Sequence, residues 1–313
     1  MDMSVIIKPI AMLFIAIFIG FISVKCTYLH ADIRTVISKI IVKITLPLLI
    51  ITSLLSKELS GEVVGNAAVV VLTGIIVIPI LYLIGVFTAK LFHLKEPTKS
   101  IHAILSSGGN VVFLGYPIIH AIFGPDGLFY AVLYGMVNDA LFWTVGVYFI
   151  YRSGGTKEER NPLKTLFNPN TVAFIIAIPL MLLKVKIPPI LNETLSGIGE
   201  MTTYLSMLFI GMTLSIVNVK KLYQRISMLL PMLIKMVIAP IVVGILLVRF
   251  GAGALAISVI MLQIAMPAQT ATSIVAMEAN SDEQYAAEYI FFSTIISLGT
   301  LPLVYYIMEK ILS

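Results

Sequence analysis

The chain is poor in the residues that bind metals, react and carry charge. Its 313 residues include one cysteine (Cys26), one tryptophan and four histidines, and only 12% of them are charged. A lone cysteine closes no internal disulfide, and no Cys/His spacing describes a zinc site. No G-x-x-x-x-G-K-[ST] loop is present to cradle a nucleotide, so any ATP would have to act through a partner. No H-E-x-x-H, G-x-S-x-G or paired-aspartate motif occurs in the apolar runs, which argues against an enzyme. A soluble domain carries about 25% charged and about 45–50% apolar residues. Here 59% are hydrophobic and the mean hydropathy is +1.02. A water-soluble monomer of this composition would expose apolar surface that it could not cover. A soluble enzyme, a disordered chain and a nucleic-acid binder are thereby excluded. The net charge of +5 fits Lys and Arg in cytoplasmic loops better than a nucleic-acid surface.

What is present is long apolar runs. A membrane span needs about 20 mostly apolar residues. Ten are predicted, at 4–25, 35–56, 63–91, 99–123, 127–151, 167–185, 193–216, 225–249, 254–278 and 285–311. The first is read as a retained helix, since no A-x-A site follows it. Gly124-Pro125-Asp126-Gly127 divides spans 4 and 5, and Asn280-Ser281-Asp282-Glu283 divides spans 9 and 10. Lys25, Arg34, Lys39, Lys90, Lys95, Lys99, Arg152, Lys157, Arg160, Lys164, Lys220, Lys221 and Arg225 gather in alternate connections. The positive-inside rule makes that side cytoplasmic and turns both termini outward, in a multi-pass protein of the plasma (inner) membrane. The polar stretch 153–166 is the one linker, with five spans on either side. The chain thus divides into a repeat at 1–152, a cytoplasmic linker at 153–166 and a second repeat at 167–313. An odd number of spans per half makes the second half run inverted, as in many secondary transporters.

Two spans carry polar breaks. Span 4 holds Ser106-Ser107-Gly108-Gly109-Asn110 and then Gly115-Tyr116-Pro117. Span 9 holds Gln263 and then Met266-Pro267-Ala268-Gln269-Thr270-Ala271-Thr272-Ser273. Pro117 removes a backbone donor from its helix. Ordinary proline kinking explains a lone Pro, but the two breaks fall at matching places in the two halves. Loosened backbone at membrane depth survives only in protein or beside a water-filled cavity. Each half-helix beyond a break begins with free N–H groups and a partial positive charge. Two such ends beside Asn110 and Gln269 suit a small organic anion.

These motifs resemble the auxin efflux carrier family, the plant PIN exporters and their bacterial relatives. The resemblance runs through Leu46-Pro47-Leu48-Leu49, Gly109-Asn110 with Gly115-Tyr116-Pro117, and Asn168-Pro169-Asn170. It continues through Leu208-Phe209-Ile210-Gly211-Met212-Thr213-Leu214, Met266-Pro267-Ala268-Gln269 and Thr300-Leu301-Pro302-Leu303-Val304-Tyr305-Tyr306. It implies an all-α integral membrane fold of ten transmembrane helices in two inverted five-helix repeats. Broken helices 4 and 9 cross, similar to the arrangement in NhaA and the bile-acid symporters. Helices 1, 2, 6 and 7 would form a scaffold, and helices 3–5 and 8–10 a transport domain that moves as an elevator. The implied cargo is an auxin-like acid or a dicarboxylate such as malate or malonate, and the implied assembly is a homodimer in the lipid bilayer. The long loop of plant members is here only residues 152–166. Gly109 stands where PIN proteins have Pro, which softens the first break.

The expected crossover residues are Gly109, Asn110, Pro117, Pro267, Gln269 and Thr270. Buried charge in a membrane is costly and marks functional candidates. One or both of Asp139 in span 5 and Lys235 in span 8 are therefore expected to couple charge to transport, Asp139 as a proton acceptor or Lys235 as counter-charge to the anion, with Asn138 beside them. A static ion pair, or Lys235 bonding to backbone carbonyls, is the alternative. Lys43 is expected to snorkel to the surface. His102 and His120 are expected to make interfacial hydrogen bonds, and Glu200 and Glu288 to be wet helix-start carboxylates. Gly211 is expected to permit close helix contact. No metal and no cofactor are expected. A sodium-coupled carboxylate symporter and a non-transporting receptor on the same fold are the competing functions.

Overall fold

A computed structural model describes residues 4–30, 32–155, 168–216 and 226–313. Its described residues are helical apart from turns and short extended stretches. Among the described residues five helices are long and apolar enough to cross a membrane, by length and composition. They are α2 (Ile33–Leu55), α3 (Gly61–Leu91), α5 (Val111–Ser153), α8 (Ile226–Arg249) and α11 (Glu283–Leu312). The other α-helices among the described residues are α1 (Ser4–Lys25), α4 (Thr98–Ser107), α6 (Pro169–Leu182), α7 (Pro189–Ser215), α9 (Ala254–Ala265) and α10 (Ala271–Glu278). Large apolar side chains such as Phe18, Leu83, Phe87 and Leu182 lie exposed on these helices, as lipid-facing surfaces require. Together they describe a multi-pass integral membrane protein.

Local chemistry explains several boundaries. At Gly124, within α5, φ is 64° and ψ −159°, and the helix breaks there. That backbone region is essentially restricted to glycine, so Gly124-Pro125 divides the predicted spans 4 and 5. Asn168 caps α6: its Oδ1 accepts from the amides of Asn170 at 3.0 Å and Thr171 at 3.1 Å. Pro169 occupies the first turn, where no helical donor is lost. Asp282 caps α11 by accepting from the Tyr285 amide at 3.0 Å.

Contacts divide the chain into two units. The first comprises Met1–Gly65, Val112–Met136 and Phe167–Val217. In it α1 and α7 touch backbone to backbone. A Cβ at Gly211 would lie 1.9 Å from the Ile17 carbonyl oxygen, and one at Gly20 would lie 2.3 Å from that of Leu208. Small residues on facing helices permit this approach where no hydrophobic effect drives helices together. Thr202 of α7 donates to Thr45 of α2 at 2.8 Å, with both residues buried. Lys57 pairs with Asp126 at 2.6 Å.

The second unit comprises Asn66–Val111, Val137–Leu166 and Asn218–Ser313. Its core gathers Ile101, Leu105, Phe142, Met232, Met236, Tyr285 and Tyr289 from α4, α5, α8 and α11. The Asn66 side chain accepts from the Gly253 amide at 2.8 Å, tying α3 to the turn before α9.

Candidate functional site

Within the second unit two helices stop inside the apolar layer. Helix α4 ends at Ser107, and Gly108 turns extended with φ −75° and ψ 137°. Helix α9 ends at Ala265, and Met266 turns extended with φ −60° and ψ 144°. The freed strands meet. Gly109 and Ala268 form an isolated antiparallel bridge, and the Asn110 amide donates to the Pro267 carbonyl at 2.7 Å. Backbone groups released by the breaks thus satisfy one another, which is what membrane depth demands. The Ala268 amide donates to Ser293 Oγ of α11 at 3.0 Å. Beyond the bridge, α5 begins at Val111 and α10 at Ala271.

Asn138 of α5 ties both breaks together. Its Oδ1 accepts from the Gly109 amide at 3.2 Å. Its Nδ2 lies 3.5 Å from the Gly109 carbonyl and 3.5 Å from Gln269 Oε1. The same Nδ2 lies 3.4 Å from Asp139 Oδ1, so the half-buried Asp139 stands at the edge of this network. Gly108 and Gly109 are closely approached by neighbouring side chains. A Cβ on Gly108 would sit 3.0 Å from Gln269 Oε1, and one on Gly109 would sit 3.1 Å from Val111 Cγ1.

Lys235 lies near the middle of α8, inside a π-helical turn at Ile234–Ile238. It is 3% exposed, and its ammonium donates to the Gly108 carbonyl at 2.6 Å. Gly108 is the first non-helical residue after α4, so its carbonyl lies at the negative end of that helix. Asn110 is also buried, and its Nδ2 has no hydrogen-bond partner among the described residues. Beside the break is a cavity of about 200 Å³. Its walls are Ile78, Pro79 and Tyr82 of α3, Ile104, Ser107 and Gly108 of the first break, and Asn138, Leu141, Phe142, Val145 and Gly146 of α5.

The structure therefore gathers Gly109, Asn110, Pro267, Gln269 and Asn138 directly, Lys235 through Gly108, and Asp139 through Asn138. Thr270 follows Gln269 as the first residue of the α10 turn and is buried. Pro117 is buried in the first unit, beyond the π-helical start of α5 at Val111–Gly115. Lys43 and Glu200 are exposed. Two expectations change. His102 is not interfacial but fully buried, with Nε2 2.9 Å from Thr88 Oγ1 and Nδ1 2.6 Å from the Tyr285 hydroxyl. Glu288 is not wet: it is 1% exposed and accepts from Gln284 Nε2 at 3.0 Å. His102 lies where α4 packs on α11, and Glu288 is buried on α11; local sequence reveals neither. Ser293, which accepts from the Ala268 amide, is one hydroxyl among many in α11 and carries no signal in the sequence. Gly108 serves through its carbonyl, a role that its residue type does not announce. Among the described residues no three His, Cys, Asp or Glu side chains cluster as a metal site would require.

A family model described as membrane transport protein matches residues 5–305. The chain belongs to the auxin efflux carrier family of membrane transport proteins. An uncharacterized transporter of Methanothermobacter thermautotrophicus is 27% identical over 297 residues, covering 92% of this chain and 94% of the relative. An uncharacterized transporter of Methanocaldococcus jannaschii is 24% identical over the same length, with the same coverage of each chain. The paired breaks thus belong to an auxin efflux carrier family transporter.

Proposed function

We propose that this transporter is a secondary carrier of a small organic anion, held where the breaks after α4 and α9 meet. The observation that carries the proposal is Asn110. Its amide is fixed to Pro267, while its side-chain Nδ2 is buried without an acceptor. A buried donor left unpaired is costly, and a ligand carboxylate supplies the missing acceptor. The helix starts at Val111 and Ala271 add positive partial charge at the same place. Gln269 and Thr270 would complete the binding residues, Gly109 and Pro267 would keep the segments unwound, and Pro117 would loosen the helix beyond. Asp139 and Lys235, joined to the breaks through Asn138 and Gly108, are the groups proposed to couple charge to transport. The neighbouring cavity is walled mainly by apolar side chains, which favours an acid with an apolar body, auxin-like in kind, over a dicarboxylate such as malate or malonate.

The proposed architecture is ten spans in two inverted repeats, 1–152 and 167–313, joined by 153–166, with both termini outside the plasma membrane. Matching breaks in the two halves support it. Helices 1, 2, 6 and 7 would form the scaffold of a homodimer in the bilayer, against which the remainder moves as an elevator. The second contact unit takes in most of α3, all of α4 and α8–α11, and α5 from Val137 onward, while Val112–Met136 of α5 falls in the first unit.

Counterflow in proteoliposomes tests the proposal, using malate, malonate, succinate and indole-3-acetate under imposed proton or sodium gradients. Uptake of at least one acid, abolished by Asn110→Ala, is expected. Binding of a cation or neutral solute with no uptake of any acid would sink it. A sodium requirement would favour the competing symporter, and tight binding without flux the receptor.

A further inference from the structure

Lys235 presents a problem that the fold leaves open. An ammonium in the middle of an apolar span is costly unless an opposite charge answers it. Among the described residues Lys235 makes no ion pair. Its acceptor is the Gly108 carbonyl at 2.6 Å. An ammonium has three N–H donors, and Gly108 takes one of them. The carbonyls of unwound segments are also the oxygens that bind coupling cations in carriers with broken helices. Residues 106–111 and 263–273 contain no carboxylate that would help a metal ion compete for that position. Two residues along the same break, the Asn110 Nδ2 is buried without an acceptor. The π-helical turn around Lys235 interrupts the regular ladder of α8, an irregularity often found at functional sites.

We propose that the Lys235 ammonium is a built-in monovalent cation, which occupies on the Gly108 carbonyl the place of a coupling metal ion and supplies the counter-charge to a monovalent organic anion. The inference rests on the anion carrier proposed above and deepens it. Lys235 itself makes no ion pair among the described residues, and a monovalent carboxylate supplies the opposite charge that the Gly108 carbonyl does not. Substrate binding needs no sodium, because the cation is part of the chain. A divalent anion leaves one negative charge unanswered in the same apolar surroundings and binds less well.

The test titrates purified full-length protein with indole-3-acetate, a monovalent carboxylate, and malonate, a divalent one. Titrations run in sodium, potassium and choline chloride. Wild-type protein is expected to bind indole-3-acetate more tightly than malonate, with the same affinity in all three salts. Lys235→Ala is expected to weaken indole-3-acetate binding about 30-fold or more, the scale of truncating one partner of a buried charge pair. Methylammonium is expected to restore binding to Lys235→Ala, which has room for it, and not to Lys235→Met. Methylammonium and indole-3-acetate should then raise each other's affinity for Lys235→Ala by the same factor, as linkage demands. A lysine that only braces α8 against α4 would give no such reciprocal rescue. Sodium-dependent affinity in the wild type, tighter binding of malonate, or undiminished binding by Lys235→Ala in choline would each overturn the proposal. If Lys235→Ala does not fold, Lys235→Arg takes its place. Retained sodium-independent binding then supports the proposal, and a new sodium requirement overturns it. If neither acid binds the wild type, the anion carrier itself falls. Binding that fails only the salt or variant arms removes Lys235 alone.

Discussion

The Asn110 amide donates to the Pro267 carbonyl at 2.7 Å, and this bond joins two breaks that lie far apart in the chain. It sits beside the Gly109–Ala268 bridge, so the second unit contains a fragment of paired extended backbone among helices. The pairing fixes the main chain of Asn110 and leaves its side chain for something else.

Asn110→Ala should separate transport from folding. The Nδ2 has no hydrogen-bond partner among the described residues, so removing it forfeits no bond from that atom. The thermal midpoint in detergent should fall by the equivalent of less than about 1 kcal/mol. Uptake of the transported acid should fall at least about tenfold, the loss of one charge-assisted hydrogen bond. Equal losses in melting and uptake would assign Asn110 a folding role instead.

Asn138→Ala should lose both. Its Oδ1 accepts from the Gly109 amide at 3.2 Å and its Nδ2 lies 3.5 Å from Gln269. Truncation leaves the Gly109 amide buried and unpaired, a cost of about 1–3 kcal/mol. Asn138→Asp keeps the acceptor but turns a buried carboxylate oxygen toward the Gly109 carbonyl, Asp139 Oδ1 and Gln269 Oε1, and should melt no higher than Asn138→Ala. Melting curves of the two variants, measured side by side, check the ordering.

Gly211→Ala tests the contact of α1 with α7. The added methyl would stand 1.9 Å from the Ile17 carbonyl oxygen, and backbone cannot yield as a flexible side chain does. The helices must separate, at a cost of about 1–3 kcal/mol. A lowered melting temperature and poorer recovery from detergent extraction are expected. Gly197→Ala is the control, since nothing lies within 4 Å of its added Cβ, and it should melt no lower than the wild type, alanine being the better helix former.

Cys26 offers a direct test of orientation. It is the only cysteine in the sequence and it is exposed, in the connection assigned to the cytoplasm by Lys25, Arg34 and Lys39. A membrane-impermeant maleimide should label it in inside-out vesicles and leave it unmodified in intact cells. Labelling from outside would reverse the proposed sidedness.

Much of the site was legible because breaks in apolar spans stand out. Gly, Pro, Asn and Gln are conspicuous where the neighbours are mostly apolar, which marks Asn110, Pro267 and Gln269, whereas Asn138 is marked only by standing beside Asp139. His102 and Glu288 were misplaced for the converse reason. A polar residue near a helix end looks wet in sequence, and only packing against another helix buries it. Ser293 carried no signal at all, since a serine in an apolar helix bonds to its own preceding turn as readily as to a neighbour.

The sequence by itself determined that this is a membrane protein, where its apolar runs lie, and which two of them are interrupted. Composition and spacing suffice there, because lipid penalises every exposed charge and unpaired peptide group one residue at a time. Only the tertiary structure decided that the two interruptions pair with each other, that Asn138 binds to both, and that the Lys235 ammonium rests on the Gly108 carbonyl. Those are contacts between residues remote in sequence. Their partners are chosen by which helices pack together, and no local pattern of residues encodes that choice.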